Sequence, residues 1–311
     1  MSTDVLLPAL DGQRALGFLA ALGVLRVLDE HGNADVRLRF DDESGAAVLT
    51  GPYADVDAVA ETLTRIATTG DGLIPGLDPH FPLPGSGSGD PMRASRAEHR
   101  HRWREYGDAR RRWTAAMVTD LAVDDKGRVA LTPYTAPSGQ QILRTFIEKP
   151  ITVVREQPVT IREALTAWRR VEGFTGEYFD HGVLRSSADD VLGRRGRESG
   201  VPGATWLATM ALPMLRLTTR HGAATATLWH RPAGRRDLMI WPLWRQPLDL
   251  YGVQALIEHP ALLPTVVDGR VRVAKRDLEP LGVFLVCAAE RQRIQGRNFA
   301  GVLAPVEVTL V

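Results

Sequence analysis

The sequence contains a single cysteine, Cys287, among 311 residues. One thiol cannot form an intramolecular disulfide, and it cannot supply the several thiolates of a structural zinc or iron–sulfur site. Cys287 lies inside the apolar run Val283–Ala288. Because reactive cysteines need nearby positive charge and access to solvent, this setting favours an inert core residue.

Lysine is almost as scarce. Lys126, Lys149 and Lys275 are the three lysines, so 35 of the 38 basic residues are arginine. Arginine suits bidentate recognition of phosphate, although the codon usage of a GC-rich genome gives the same ratio. The formal net charge is +1, which excludes a strong field over the whole molecule. A surface for nucleic acid therefore requires local segregation of charge.

Features of secreted and membrane proteins are also missing. The N-terminus lacks a basic segment followed by an apolar segment and a small-residue cleavage site. The very apolar stretch Ala15–Leu28 contains one charged residue, Arg26. As a helix of about 14 residues it is roughly 21 Å long, whereas a helix that spans a bilayer needs about 20 apolar residues. We expect a cytoplasmic protein without membrane contact, in which Ala15–Leu28 is a helix buried on most faces.

The rest of the pattern mixes helices and strands. Ala204–Leu215 is a second nearly apolar helix, which Pro213 should end or kink. Residues 36–40 and 46–50 can pair as strands, and residues 55–67 carry apolar side chains at helical spacing. Because regular βαβ alternation is absent, we predict an α+β fold of mixed helices and antiparallel strands around two buried apolar helices.

The composition changes between Thr69 and Pro91, where Gly, Pro, Asp and Ser dominate. A segment of this length without periodicity is typical of a functional loop or a linker. We predict an N-terminal α+β unit with the buried helix at 1–84, a flexible linker at 85–92, and a third part at 93–311. The third part begins with an arginine-rich helix and continues as a C-terminal α+β domain.

The usual sequence signatures of catalysis do not occur. The chain has no HExxH, GxSxG, Walker or GxGxxG motif, so metal, nucleophilic and nucleotide chemistry lack their common residue sets. His99 and His101 are two positions apart, which places them about 200° apart on a helix and prevents a shared metal ion. We therefore predict a non-enzymatic protein with no catalytic residue, no metal and no cofactor.

A basic segment interleaved with aromatic residues covers 92–117, with eight arginines and with Trp103, Tyr106 and Trp113. Arginine neutralises phosphates, and aromatic rings stack on unpaired bases. The alternatives are a solvated helix whose aromatic side faces inward, and a surface for an acidic protein. We predict nucleic-acid contacts from Arg93, Arg96, Arg100, Arg102, Trp103, Arg104, Arg110, Arg111 and Arg112.

A second polar segment follows Phe174 and adds further candidates. Acidic residues in the same segment offset its charge, so a loop held by internal hydrogen bonds is as good an explanation as a phosphate site. The additional predicted nucleic-acid contacts are Arg185, Arg194, Arg195 and Arg197.

Three parts of the chain together resemble a known family. Arg14–Arg26 resembles the start of large-subunit-like proteins of type I-G (formerly I-U) CRISPR effector complexes, and Val201–Pro213 lies where those proteins have an apolar helix. Leu281–Phe284, Arg291–Arg293 and Ala300–Pro305 are similar to their closing strands. The resemblance implies a protein that holds a crRNA-guided complex on target DNA, contacts the protospacer-adjacent motif and the displaced strand, and helps to recruit a helicase–nuclease. It carries no catalytic residue.

The predicted function is that of a non-enzymatic subunit of a CRISPR-type antiviral ribonucleoprotein complex. Its expected partners are nucleic acid, either crRNA or target DNA, and other subunits of that complex. The subunit would bind the nucleic-acid backbone and stabilise target DNA. Two alternatives stay open: a nucleic-acid-processing enzyme that uses His99, His101 or His181, and a protein-interaction scaffold.

Overall fold

The computed structural model describes residues 2–32, 35–85, 89–135, 142–184, 198–232, 237–292 and 301–311. The described helices are α1 (Ala15–His31), α2 (Val56–Thr68), α3 (Arg96–Glu105), α4 (Asp108–Met117), α5 (Leu143–Glu156), α6 (Val159–Thr166), α7 (Pro202–Met210) and α8 (Leu250–Ile257). Short 3₁₀ helices lie at Gly176–Tyr178, His181–Leu184, Leu212–Met214, Pro260–Leu262, Lys275–Asp277 and Glu279–Leu281.

The described strands form small sheets rather than one continuous sheet. The strands are β1 (Thr3–Asp11), β2 (Arg37–Phe40), β3 (Ala46–Gly51), β4 (Val118–Val123), β5 (Val129–Leu131), β6 (Val171–Glu172), β7 (Ser199–Gly200), β8 (Leu217–Arg220), β9 (Ala223–Ala226), β10 (Trp229–His230), β11 (Leu238–Trp244), β12 (Thr265–Val267), β13 (Arg270–Val273), β14 (Val283–Gln292), β15 (Val302–Val306) and β16 (Val308–Leu310). Three sheets have the orders β1–β3–β2, β10–β11–β14–β15 and β12–β13–β16, and three further pairs are β4–β5, β6–β7 and β8–β9.

This mixture of helices and small, mainly antiparallel sheets confirms the predicted α+β class. The predicted strand pair is the β2–β3 ladder, and the predicted helix at 55–67 is α2, whose N-terminus is capped by Asp55. β1 has no counterpart among the predicted strands. It pairs antiparallel with the opposite edge of β3, so the N-terminal sheet has three strands instead of two.

The two apolar helices cross at the centre of the molecule. Every residue of Ala15–Leu28 in α1 is buried, and so is every residue of α7. Gly23 makes the crossing possible, because a Cβ atom there would overlap the backbone oxygen of Leu207. None of the described helices has both the length and the apolar character needed to cross a membrane.

The ends of both central helices differ from the prediction. α1 continues to His31. α7 begins at Pro202, which is favourable at a helix start because its missing N–H needs no partner there. It ends at Met210, and Leu212–Met214 forms a 3₁₀ turn, so the α-helix stops before Leu215, in agreement with the predicted break at Pro213. Pro213 cannot donate the hydrogen bond that a continuing α-helix requires.

The Gly- and Pro-rich segment after α2 is packed on the core rather than suspended between two bodies. Its side chains Leu73, Ile74 and Phe81 are buried in the main hydrophobic core. Arg155 of α5 donates to the backbone oxygens of Ala67, Gly70, Asp71 and Gly72, which closes the C-terminal end of α2.

The same segment is fixed at its far end. Arg144 of α5 donates to the oxygens of Pro79 and Pro82, and the Asp90 carboxylate accepts from the backbone N–H groups of Met92 and Leu143. Residues 89–92, at the end of the predicted flexible linker, are therefore held at the start of α5.

One hydrophobic core contains residues from both sides of the predicted boundary at 85–92. Trp241 and Trp244 of β11 are fully buried, and their indole N–H groups donate to the oxygens of Gly12 and Leu38 at 2.7 and 2.8 Å. The predicted units 1–84 and 93–311 thus share one core, and Arg112 and Trp113 of the arginine-rich segment contact Glu30 and Arg26 of α1.

Candidate nucleic-acid interface

The arginine-rich segment forms two helices, α3 and α4, instead of the single predicted helix. Ser95 begins α3 by accepting a hydrogen bond from the N–H of Glu98. The helix ends at Glu105 because Tyr106 turns inward, where its ring packs edge-to-face on Phe81 at 6.0 Å. Gly107 then begins α4. The break divides the arginines between two helices, with Arg110, Arg111 and Arg112 on α4.

On α4, Arg110 and Arg112 are used in contacts with the protein itself. Arg110 pairs with Asp78 of the long loop and lies over the Tyr106 ring at 5.6 Å. Arg112 lies 3.0 Å from a carboxylate oxygen of Glu30 in α1. These two predicted nucleic-acid contacts fix α4 to the loop and to the core.

Arg93 and Arg102 also have partners within the protein. Arg93 donates to the Asp124 carboxylate at 2.7 Å, and that carboxylate also accepts from Arg128. Hydrogen bonds from Arg128 lower the pKa of Asp124 to about 2, so the carboxylate is ionised at neutral pH. Arg102 donates to Glu98 at 2.8 Å and to the Pro91 oxygen at 2.7 Å.

The remaining arginines of α3 lie along one exposed face. Arg96, Arg100 and Arg104 follow at intervals of four residues, so they lie within about 80° of one another around the helix. The acidic residues of the same helix, Glu98 and Glu105, lie about 180–200° away from Arg96. Three of the four arginines of α3 thus share one face, whereas Arg102 lies on the side of Glu98 and pairs with it.

Arg111 extends this face beyond the end of α3. Its guanidinium donates to the oxygens of Trp103 and Arg104 at 2.9 and 3.1 Å. These oxygens belong to the last turn of α3 and have no partner inside the helix, so a cation there is favourable. We call Arg96, Arg100, Arg104 and Arg111 the arginine row.

The arginine row keeps much of its positive charge, because several of its hydrogen bonds go to neutral oxygens. Arg96 donates to the backbone oxygens of Asp120 and Leu121, which are neutral acceptors. Arg100 donates to the Asp120 carboxylate at 2.8 Å, yet 64% of its side chain is exposed. Arg111 is 3.6 Å from the Asp108 carboxylate. Within the ranges that the structure describes, Arg104 has no ion pair.

Trp103 lies beside the row and is partly accessible. Its side of the helix is next to the buried His99, whose ring is 6.1 Å away, and 36% of the tryptophan is exposed. Part of the indole is therefore accessible from solvent. Trp113, by contrast, is buried under Arg26 at 5.0 Å and serves the core, as the inward-facing alternative predicts.

The three candidate histidines are placed differently from one another. Burial lowers the pKa of His99, whereas His101 is 64% exposed and lies 3.4 Å from Glu105. His181 lies 3.8 Å from Asp180, a carboxylate that also accepts from Arg170. No group of three His, Cys, Asp or Glu side chains suited to a metal ion occurs among the described residues.

Burial raises the pKa of the Cys287 thiol to about 12.

Some predicted contacts lie outside the described residues, and one pocket was not predicted from the sequence. Arg185, Arg194, Arg195 and Arg197 lie outside the described residues, as do residues 293–300 of the family-like closing segment. A shallow pocket beside the β8–β9 hairpin, lined by Arg220 and Trp229, has no counterpart among the predicted sites. Short strands with weak alternation gave no signal for it.

Comparison with known proteins adds no functional assignment. No protein-family model matches the chain, and no curated protein matches it.

Proposed function

We propose that the protein is a non-enzymatic, nucleic-acid-binding subunit of a ribonucleoprotein complex, and that the arginine row is its backbone contact. The observation that carries this proposal is the placement of three arginines on one exposed face of α3. Arg96, Arg100 and Arg104 share one exposed face, while Glu98 and Glu105 lie on the other. A cationic stripe of this kind, in a protein with a net charge of only +1, is a local electrostatic footprint for phosphates.

The geometry of the guanidinium groups supports this role. A guanidinium has five N–H donors, and the contacts of Arg96 and Arg100 use only some of them. The internal bonds fix the side chains in place, so a phosphate would meet a preorganised row. Arg96, Arg100 and Arg104 follow one another at about 6 Å along the axis of α3.

Trp103 adds a sequence-independent contact for single strands. An exposed ring beside a row of cations suits a strand whose phosphates follow the arginines while one base stacks on the indole. Together with the family-like segments Arg14–Arg26 and Val201–Pro213, this favours a subunit of a CRISPR-type antiviral complex, in the cytoplasm, in contact with crRNA or target DNA and with other subunits.

The proposal is tested by replacing Arg96, Arg100 and Arg104 together with glutamine. The matched control replaces Arg162, Arg216 and Arg245 with glutamine, because these arginines are 55%, 72% and 54% exposed and each pairs with one carboxylate elsewhere on the surface. Both variants lose three positive charges. Fluorescence anisotropy measures their binding to single-stranded RNA, single-stranded DNA and duplex DNA at several salt concentrations, and circular dichroism shows that each variant is folded.

Each lost phosphate contact lowers the slope of log K against log salt by about 0.7 to 0.9. The α3 variant is therefore expected to lose about 2 to 3 from that slope and to bind all sequences more weakly, while the control keeps the slope of the unmodified protein. An α3 variant that is folded and binds no more weakly than the control would overturn the proposal.

The stacking contact is tested separately. Trp103→Ala should weaken binding to single strands by about 1 to 3 kcal/mol and leave the salt slope unchanged. Tyr251→Ala is the control, because Tyr251 is an aromatic side chain on α8 with 76% exposure. An equal loss in the two variants, or an equal loss on duplex DNA, argues against stacking on Trp103.

A further inference from the structure

A pocket lies beside the β8–β9 hairpin, and its lining residues do not include the arginine row. Its walls include Pro133 and Trp229, and its polar groups come from Arg220, His221, Arg231 and Asp237. The space between these side chains is small and partly open to solvent. Such a site suits a small polar group more than a nucleoside.

The charges around the pocket do not balance. Arg231 and Asp237 neutralise each other through two hydrogen bonds of 2.6 Å each. Arg220, at the end of β8, has no ion pair among the residues that the structure describes. The pocket therefore keeps one uncompensated cation at its edge.

A second cation lies behind the pocket wall. The guanidinium of Arg291 is 5.9 Å from the centre of the Trp229 ring, and it donates to the backbone oxygens of Pro133, Tyr134 and Gly301. Burial lowers the pKa of Arg291 to about 10, while the negative charge of Glu177 acts in the opposite direction. Arg291 is thus still protonated at neutral pH, and its hydrogen-bond partners are neutral oxygens.

His230, the neighbour of Trp229, adds no positive charge to this region. Burial lowers its pKa to about 4, and the charge of Arg220 acts in the same direction. The imidazole is therefore neutral at pH 7, and the nearby charge that acts on it is that of Arg220. Among the described residues, Arg220 is therefore the cation at the pocket without a counter-charge, which favours an anion there.

We propose that this pocket binds a phosphate group, with Arg220 as the direct ligand and Arg291 as a buried charge behind the wall. Phosphate fits the small size of the pocket and the bidentate donor geometry of a guanidinium. The inference does not depend on the arginine row. The group can come from free phosphate or from the terminal phosphate of a nucleic-acid strand, since the β8–β9 hairpin packs on β4, the strand that carries Asp120.

Nuclear magnetic resonance of the tryptophan indole N–H groups tests this proposal on the full chain. Trp229 lines the pocket, and Trp229→Phe identifies its signal among those of the seven tryptophans. The probes are inorganic phosphate, a short oligonucleotide with a 5′-phosphate, and the same oligonucleotide with a 5′-hydroxyl. Titration of each probe gives a dissociation constant from the movement of the Trp229 signal.

The test variant is Arg220→Gln, and the matched control is Arg216→Gln. Arg216 lies four residues earlier, is 72% exposed and pairs with Glu258 outside the pocket. We expect phosphate to move the Trp229 signal in the unmodified protein and in the control, and to bind at least tenfold more weakly to Arg220→Gln. The glutamine triple variant of α3 should bind inorganic phosphate like the unmodified protein, which separates this proposal from the preceding one.

The oligonucleotides distinguish the two sources. Tighter binding of the 5′-phosphorylated strand than of the 5′-hydroxyl strand assigns the pocket to a strand end, whereas equal binding of the two strands together with binding of inorganic phosphate assigns it to free phosphate. A Trp229 signal that none of the probes moves, or an Arg220→Gln variant with unchanged affinity, would overturn the phosphate assignment.

Discussion

Arg26 and Glu30, one turn apart on α1, form a two-point ion pair with N–O distances of 3.1 and 2.5 Å. Arg26 is only 2% exposed and also donates to the Met210 oxygen at the end of α7. Burial lowers the pKa of Arg26 to about 10, so it stays charged at neutral pH. Because Arg112 binds the same Glu30 carboxylate, one acidic group joins α1 to α4.

Removing this acidic group should be costly. Glu30→Ala leaves the Arg26 cation buried without an ionic partner, and we expect a loss of about 3 to 5 kcal/mol in the free energy of unfolding. Arg112→Ala removes a half-exposed partner and should cost only about 0 to 1 kcal/mol. Urea denaturation of both variants measures the difference. Equal losses would mean that Glu30 does not compensate the buried charge.

The close crossing of α1 and α7 gives a second prediction. Gly23→Ala forces a methyl group into the backbone of Leu207, so the helices must separate, at a cost of about 1 to 3 kcal/mol or more. Gly89→Ala is the control, because the nearest atom to a Cβ there is 3.9 Å away. Thermal and urea denaturation should show a large loss for the first variant and a change below about 1 kcal/mol for the second.

Arg155 should be worth more than a typical surface arginine. Arg155→Ala leaves the oxygens at the end of α2 without their donor, and we expect a loss of about 2 kcal/mol. Arg155→Lys should restore only part of this, because one ammonium group cannot reproduce the spread of a guanidinium. Arg162→Ala, which breaks an exposed pair with Asp57, should cost about 0 to 1 kcal/mol. Full rescue by lysine contradicts the multiple-oxygen contact.

His230 predicts a specific dependence of stability on pH. Its pKa is about 4 in the folded protein and about 6.5 when exposed, so the unfolded state binds the proton first as the pH falls. The stabilising effect of the neutral imidazole is complete above pH 6.5 and is lost as the pH falls toward 4. Between pH 7 and 4.5, the unmodified protein should lose about 2 kcal/mol more than His230→Gln. Parallel pH curves for the two proteins would rule out this origin.

Local pattern was sufficient to predict the α+β class and several elements. The unbroken apolar character of α1, the alternation of β2 and the spacing of apolar residues in α2 each report a local requirement of burial. β1 was not predicted because its exposed residues include the apolar Leu6, which interrupts the alternation of polar and apolar residues. The break between α3 and α4 escaped because it depends on Phe81, a residue of a distant loop against which Tyr106 packs.

The same distinction explains the candidate site. Sequence identifies where arginines are concentrated, but the acids that pair with them are far along the chain: Asp78 for Arg110, Glu30 for Arg112 and Asp124 for Arg93. Only the folded chain separates these internal cross-links from the arginine row. The pocket at Arg220 depends equally on distant partners, since Arg291 reaches it from β14.

The position of α1 imposes an order on folding during synthesis. α1 is synthesised early, yet Arg26 binds the Met210 oxygen, 184 residues later in the chain. The oxygens of Gly12 and Leu38 likewise accept hydrogen bonds from Trp241 and Trp244, which are synthesised much later. Until β11 has left the ribosome, a nascent chain holds an apolar helix whose covering surfaces do not yet exist. Contacts of such long sequence separation make folding slow and leave intermediates prone to aggregation. The N-terminal part of the protein thus cannot complete its packing until most of the chain has been synthesised.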